Sequence, residues 1–217
     1  MGIIATLTEK SWLRKGAGPK GPDVSEEDKR AGAMNVALRF YLLVVTSMFG
    51  VITLAYLMRM GLVGHGGELL DETYDWRPLP EPGILWINTV FLFLSSIALD
   101  RASAAARKGR ENGMKTAMLI GAVSAMIFLA GQIAAWRQLD AAGYYFAGNP
   151  ANTFFYFITA LHGVHILGGL VALGRTSLKV WRGYEPARVR SSVYLCAIYW
   201  HFLLLVWLIM FGLLLYT

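Results

Sequence analysis

Five stretches of this chain, at 37–60, 82–104, 114–138, 151–174 and 190–216, are apolar and almost free of charge for about 20 residues or more. In hydrocarbon every backbone N–H and C=O must be satisfied within the segment, so runs of this length are predicted to cross a membrane as helices. The second run is the weakest, because only Gly83 to Leu99 is uncharged. At about 1.5 Å per residue that stretch is roughly 25 Å long, and its polar C-terminal end would protrude. Composition agrees: 56% of the chain is apolar, 16% is charged and the mean hydropathy is +0.47. The predicted fold class is an all-α membrane protein, a five-transmembrane-helix bundle over 34–217, preceded by a polar arm over 1–33. The arm lacks the charged, apolar and cleavage regions of a signal peptide and reads as flexible. Within it, Ser25 followed by Asp28 resembles a capping box and predicts a short helix in Ser25–Gly32.

Basic residues are distributed unevenly. The segment through Arg39 holds seven Lys/Arg, and the 100–115 and 175–190 loops hold five each, whereas the remaining loops and flanks hold only Arg59, Arg77 and Arg137. Cytoplasmic loops are enriched in Lys and Arg, so the N-terminus is expected inside and the C-terminus outside. The net charge of +6 is thus an argument about topology and gives no reason to expect a nucleic-acid partner. The 61–81 loop is acidic, which solvates it or offers a docking patch to a basic partner. Gly61–Gly67 lacks the lysine of a phosphate-binding loop. Cys196 is the sole cysteine, so no intrachain disulfide can form, and it reads as a small buried residue.

Polar residues inside apolar spans are costly and need partners. In the fourth span Thr159, His162 and His165 follow one another at helical spacing on one face. In the second span Asn88 and Thr89, followed by Ser95 and Ser96, suit interhelical hydrogen bonding and close packing. The third span carries a ridge of small residues, Ala117, Gly121 and Ala125, and then Gln132 and Trp136 at i, i+4. The fifth carries Trp200, His201 and Trp207. Three imidazoles, His162, His165 and His201, could in principle converge on a metal or clamp a haem, with Gly163, Gly168 and Gly169 offering room. The alternative is that they are neutral and exchange hydrogen bonds across the bundle. His65 reads as a solvated loop residue. No carboxylate lies in the uncharged part of a span, Asp100 falling at the protruding end of the second, so the acid–base set of a catalytic centre is missing.

These segments resemble subunit III of the haem-copper terminal oxidases (the cytochrome c oxidase subunit III family) in its short five-helix form. The family's histidine helix reads Thr-Gly-x-His-Gly-x-His; here Thr159, His162, Gly163 and His165 match, with Ala160 in place of the first Gly. Its final helix, Tyr-Trp-His-Phe-x-Asp-x-x-Trp, is matched by Tyr199 to Phe202 and Trp207, with Leu204 in place of Asp. The Leu-x-x-Asn-Thr stretch is matched through Asn88 and Thr89, and Gln-x-x-Glu-aromatic through Gln132 and Trp136, with Ala135 in place of Glu. The family's buried helix-one carboxylate has no candidate here.

The resemblance implies a subunit that binds no redox centre itself. It implies packing on subunit I, which carries haem and copper, with subunit II nearby, in a complex that reduces oxygen and pumps protons. The polar residues named above, Trp200 included, would then be structural: catalytic, cofactor-binding and metal-binding residues are expected to be none. The resemblance also implies support of stability, oxygen access and proton uptake, and phospholipid in a cleft with apolar walls from helices one and two. Headgroups would be held by Arg59, Arg77 and Trp86 on the outside and Arg101 on the inside. The expected location is the bacterial cytoplasmic membrane. The electron donor, cytochrome c or quinol, binds elsewhere. Competing readings are the accessory subunit of a nitric oxide reductase, a haem b membrane anchor and a small transporter, the last lacking broken helices and an inverted repeat.

Overall fold

A computed structural model describes residues 26–60, 83–184 and 186–216. It contains five long helices: α1 (Glu26–Arg59), α2 (Ile84–Arg107), α3 (Glu111–Ala141), α4 (Pro150–Trp181) and α5 (Pro186–Tyr216). All five are long and apolar enough to cross a membrane, and α2 has the lowest mean hydropathy, 1.4 against 1.7–2.3 for the others. The chain divides into two compact units, Met1–Ala37 and Leu38–Thr217. In the first, the described residues are helical, and Asn35 donates from Nδ2 to the Ala31 carbonyl at 2.9 Å. The short helix expected in Ser25–Gly32 is therefore the opening of α1, and the 33/34 boundary falls within that continuous helix. The expectations for 1–25 and for the 61–82 loop, with Arg77 and His65, lie outside the described residues.

Helix ends are set by backbone chemistry. Gly109, Gly143 and Gly183 follow α2, α3 and α4 with φ of 65°, 88° and 79°, a region where a Cβ is strained. At Gly109 the chain reverses within three residues: Arg110 N–H donates to the Ala105 carbonyl at 3.0 Å, and α3 starts at Glu111. At the start of α4, the Asn149 side chain accepts from Ala151 N–H at 3.1 Å and Pro150 occupies the first turn.

Within the second unit, α2, α3, α4 and α5 form a ring in which each helix packs on its two neighbours: α2 on α3 and α5, α4 on α3 and α5. Without water to drive helices together in hydrocarbon, close approach and hydrogen bonds must hold them. The small-residue ridge of α3 supplies the approach to α2. Ser95 donates to the Gly121 carbonyl at 2.7 Å, and a Cβ at Gly121 would lie 3.0 Å from Leu99 Cγ. Farther along the same seam a Cβ at Gly131 would overlap the Asn88 side-chain amide. The portion of α1 from Leu38 onward is the least buried of the spans. It reaches the ring through aromatic side chains: Phe49 to His165 at 5.4 Å between ring centroids, Tyr56 to Phe154 at 5.5 Å and Tyr41 to Tyr199 at 6.0 Å.

Candidate functional site: a polar layer inside the bundle

The ring of helices encloses a layer of polar side chains that the sequence placed on separate spans. Among the described residues, two indole N–H groups donate from one helix to a threonine of another within it. Trp207 Nε1 on α5 donates to Thr89 Oγ1 on α2 at 2.9 Å, and the Thr89 hydroxyl in turn donates to the Leu85 carbonyl at 2.8 Å. Trp136 Nε1 on α3 donates to Thr159 Oγ1 on α4 at 3.1 Å, and Thr159 donates to the Phe155 carbonyl at 2.6 Å. Each threonine thus accepts from an indole on one helix while donating to a carbonyl of its own, so both hydroxyl functions are used. Trp136 sits partly buried, Trp207 fully.

His162 lies at the centre, fully buried. Its ring stands 5.3 Å from Trp207, 5.9 Å from Phe128 and 6.4 Å from Phe49, centroid to centroid. Among the described residues neither of its ring nitrogens meets a hydrogen-bond partner, and the same holds for both amide atoms of Gln132, for Asn88 Nδ2 and for Trp200 Nε1. The other two imidazoles turn back on their own helices. His165 Nδ1 lies 2.8 Å from the Leu161 carbonyl, and His201 Nδ1 lies 2.6 Å from the Ala197 carbonyl.

The three histidines do not converge. His201 is exposed on the outer side of α5, while His162 is enclosed. The hydrogen bonds expected from the imidazoles across the bundle are, for His165 and His201, bonds within one helix. Among the described residues no group of three or more His, Cys, Asp or Glu side chains is placed to hold a metal. Of the three glycines only Gly169 is closed: a Cβ there would lie 2.7 Å from Tyr199 Cε1 and 2.9 Å from Trp200 Cζ3, whereas Gly168 has nothing within 4 Å and Gly163 only Leu129 Cδ2 at 3.7 Å.

Some contacts were not foreseen. Tyr199 Oη donates to the His165 carbonyl at 2.9 Å, and Tyr156 Oη donates to the Tyr144 carbonyl at 3.0 Å. Tyr199 sat in a recognised motif and Tyr156 did not, and nothing in the chain named their acceptors, which are backbone atoms. Of the headgroup candidates, Arg101 is exposed near the end of α2, and Trp86 is half exposed with its ring 4.9 Å from Phe211. Arg59 closes α1 and has a partner of its own. An apolar recess of about 260 Å³ lies between α1, α4 and α5, bounded by Leu38, Tyr41, Gly168 and Tyr199.

The departures from the family pattern pack as apolar residues: Ala135 is fully buried and Leu204 nearly so. Because His162 has no protein partner to lose, His162→Leu should change stability little, by less than about 1.5 kcal/mol, as for a hydrophobic swap of similar volume. Thermal unfolding of the purified protein carrying it reads the change, and a loss well beyond that size would show that the imidazole has a bonding partner.

Fold and layer together define an integral membrane protein of the all-α class, a helical bundle whose polar side chains serve contacts inside it. The profile of the family described as cytochrome c oxidase subunit III matches residues 76–217, which contain all four helices of the ring. The chain is 30% identical over 184 residues to cytochrome c oxidase subunit 3 of Thermostichus vulcanus, covering 82% of this chain and 85% of that protein. It is 31% identical over 147 residues to the subunit of the same name from Synechocystis, covering 63% of this chain and 59% of that protein. A probable cytochrome c oxidase subunit 3 of Mycobacterium tuberculosis is 29% identical over 144 residues, covering 63% and 69%. The chain belongs to the cytochrome c oxidase subunit III family.

Proposed function

We propose that this chain is a non-catalytic subunit of a respiratory oxygen reductase, packed on the haem- and copper-bearing subunit I, with subunit II in the same complex. The observation that carries the reading is the enclosure of His162. The most buried of the titratable motif residues is walled by Phe49, Phe128 and Trp207, with no carboxylate beside it in the spans. Such a layer fixes helix positions; it offers no reacting atom to a substrate. The family's motif residues Asn88, Thr89, Gln132, Trp136, Thr159, His162, His165, Trp200, His201 and Trp207 act as packing residues in this account. The chain contributes stability during turnover, a lipid-bearing flank, and support of oxygen access and proton uptake in its partner. The apolar recess between α1, α4 and α5 suits an acyl chain. The membrane is the bacterial cytoplasmic membrane, with the N-terminus inside and residues 1–33 a cytoplasmic arm.

The test is removal of this subunit from the purified complex. Haem and copper per subunit I should stay unchanged while the remaining enzyme loses activity faster during turnover. A stoichiometric loss of metal would refute the assignment, as would co-purification with partners that carry no haem. The orientation has its own check. In a Cys196→Ser background, Lys108→Cys should react with a membrane-impermeant maleimide only from the cytoplasmic face. Reaction from outside would invert the topology.

A further inference from the structure

The α2–α3 hairpin ends in a groove of about 510 Å³ whose lining changes character along its length. At its rim stand three cations, Arg101 on α2 and Lys108 and Arg110 in the turn. Their side chains make no ion pair or hydrogen bond with the protein among the described residues. Their neighbours are otherwise engaged: Lys115 pairs with Glu111, and Arg107 donates to Ser103 Oγ at 3.2 Å. No carboxylate lines the groove. Its floor is made by small residues, Ala104, Ala105 and Gly113, and continues over Ala117 to Ile120, which is half exposed. Asn112 and Thr116 add neutral hydrogen-bonding groups between rim and floor.

Three unpaired cations at the end of two membrane spans attract a phosphate, and a bare apolar wall leading away from them fits a chain in hydrocarbon. One molecule combines both. We infer that the outer face of the α2–α3 hairpin binds one anionic phospholipid, its phosphate held by Arg101, Lys108 and Arg110 and an acyl chain laid over Ala117 and Ile120. Arginine and lysine near a membrane surface each favour anionic lipid, and arginine can grip phosphate through two N–H groups at once. An acidic protein loop would satisfy the cations but has no use for the apolar floor. Free phosphate would leave the floor bare in the same way. Small side chains at 104, 105, 113 and 117 are what keep the groove open; a branched residue at any of them would narrow it. The site deepens the lipid-bearing role proposed above but needs only that the chain span a membrane, so it can fail without that role failing.

Native mass spectrometry of the full-length chain in detergent tests it, with phosphatidylglycerol, phosphatidylcholine of the same acyl chains and inorganic phosphate as probes. Phosphatidylglycerol should bind at least about 10-fold more tightly than phosphatidylcholine, the size expected from three surface cations after screening. The triple change Arg101→Gln, Lys108→Gln and Arg110→Gln should abolish that preference. Lys179→Gln with Arg182→Gln, cations outside the groove, should preserve it. Should the triple variant not fold, Thr116→Phe keeps every cation and fills the groove from an exposed position; it should weaken phosphatidylglycerol by about 10-fold or more, the counterpart of closing a binding wall. Equal binding of the two lipids to the unaltered chain overturns the inference, as does a preference that survives the triple change. Phosphate displacing the lipid mole for mole at equal concentration would mark an anion site without a lipid. Loss of the preference only in the assembled complex would give the face to a protein partner. The last two outcomes also overturn it.

Discussion

Trp207→Ala should be the most damaging single truncation in the bundle, costing about 3–5 kcal/mol as for a fully buried Trp elsewhere. Trp207 is completely buried, its ring 4.9 Å from Phe128 and 5.3 Å from His162 between centroids, and stacked on Phe211 at 6.0 Å. It also carries the hydrogen bond from α5 to Thr89 on α2. Truncation therefore opens a cavity where four helices meet and removes a bond between two of them. Packing is what holds membrane helices together, so a void there has no hydrophobic driving force to offset it. Trp207→Phe separates the contributions. It keeps most of the ring and loses the N–H, and should cost only about 0.6–1.7 kcal/mol, the range for a hydrogen bond between membrane helices. Thr89→Val should match it, because it removes the acceptor at similar volume. Thermal unfolding of the purified complex reads all three. A Trp207→Ala protein as stable as the unaltered one would mean that the ring is not a structural centre.

The five spans were legible because hydropathy over 20 residues leaves few alternatives, but their ends were not. The expected span 114–138 is α3 Glu111–Ala141, and the expected 151–174 is α4 Pro150–Trp181. Hydropathy stops at the first charge, whereas a helix continues through charged residues that reach the interface. It stops where the backbone must take a positive φ, at Gly109, Gly143 and Gly183. Read as terminators, those glycines would have placed three ends correctly.

The polar layer was legible residue by residue and not pair by pair. Thr89, Trp136, Thr159 and Trp207 each stood out in the chain. That Trp207 meets Thr89, and Trp136 meets Thr159, depends on which helices are neighbours, and a single helix's phase says nothing of that. His201 is a different case. The buried face of α5 runs through Trp200, Leu203, Leu204, Trp207, Met210 and Phe211, spaced by three and four. His201 follows Trp200 by one residue and so points about 100° away from that face. Reading Tyr-Trp-His-Phe as a string put His201 with the other imidazoles; the same letters read as a helix put it outside.

Gly169→Ala is expected to destabilise the α4–α5 contact by about 1–3 kcal/mol, an overpacking effect from a single methyl group. The added Cβ would fall 2.7 Å from Tyr199 Cε1 and 2.9 Å from Trp200 Cζ3. Neither ring has an easy retreat. Trp200 is fully buried, and Tyr199 is held by its bond to the His165 carbonyl one turn before the substituted position. Relief must come from moving α4 and α5 apart, which would stretch that bond and disturb Tyr41 against Tyr199 on the α1 side. Gly168→Ala is the matched control: nothing lies within 4 Å of a Cβ built there, and in a helix interior Ala is favoured over Gly by about 0.5–1 kcal/mol. The neighbouring changes should thus have opposite signs, Gly169→Ala lowering the unfolding temperature of the complex and Gly168→Ala leaving it equal or higher. Two effects of the same sign would mean that the α4–α5 seam has slack that this geometry does not show, and that Gly169 is there for something other than the rings of Tyr199 and Trp200.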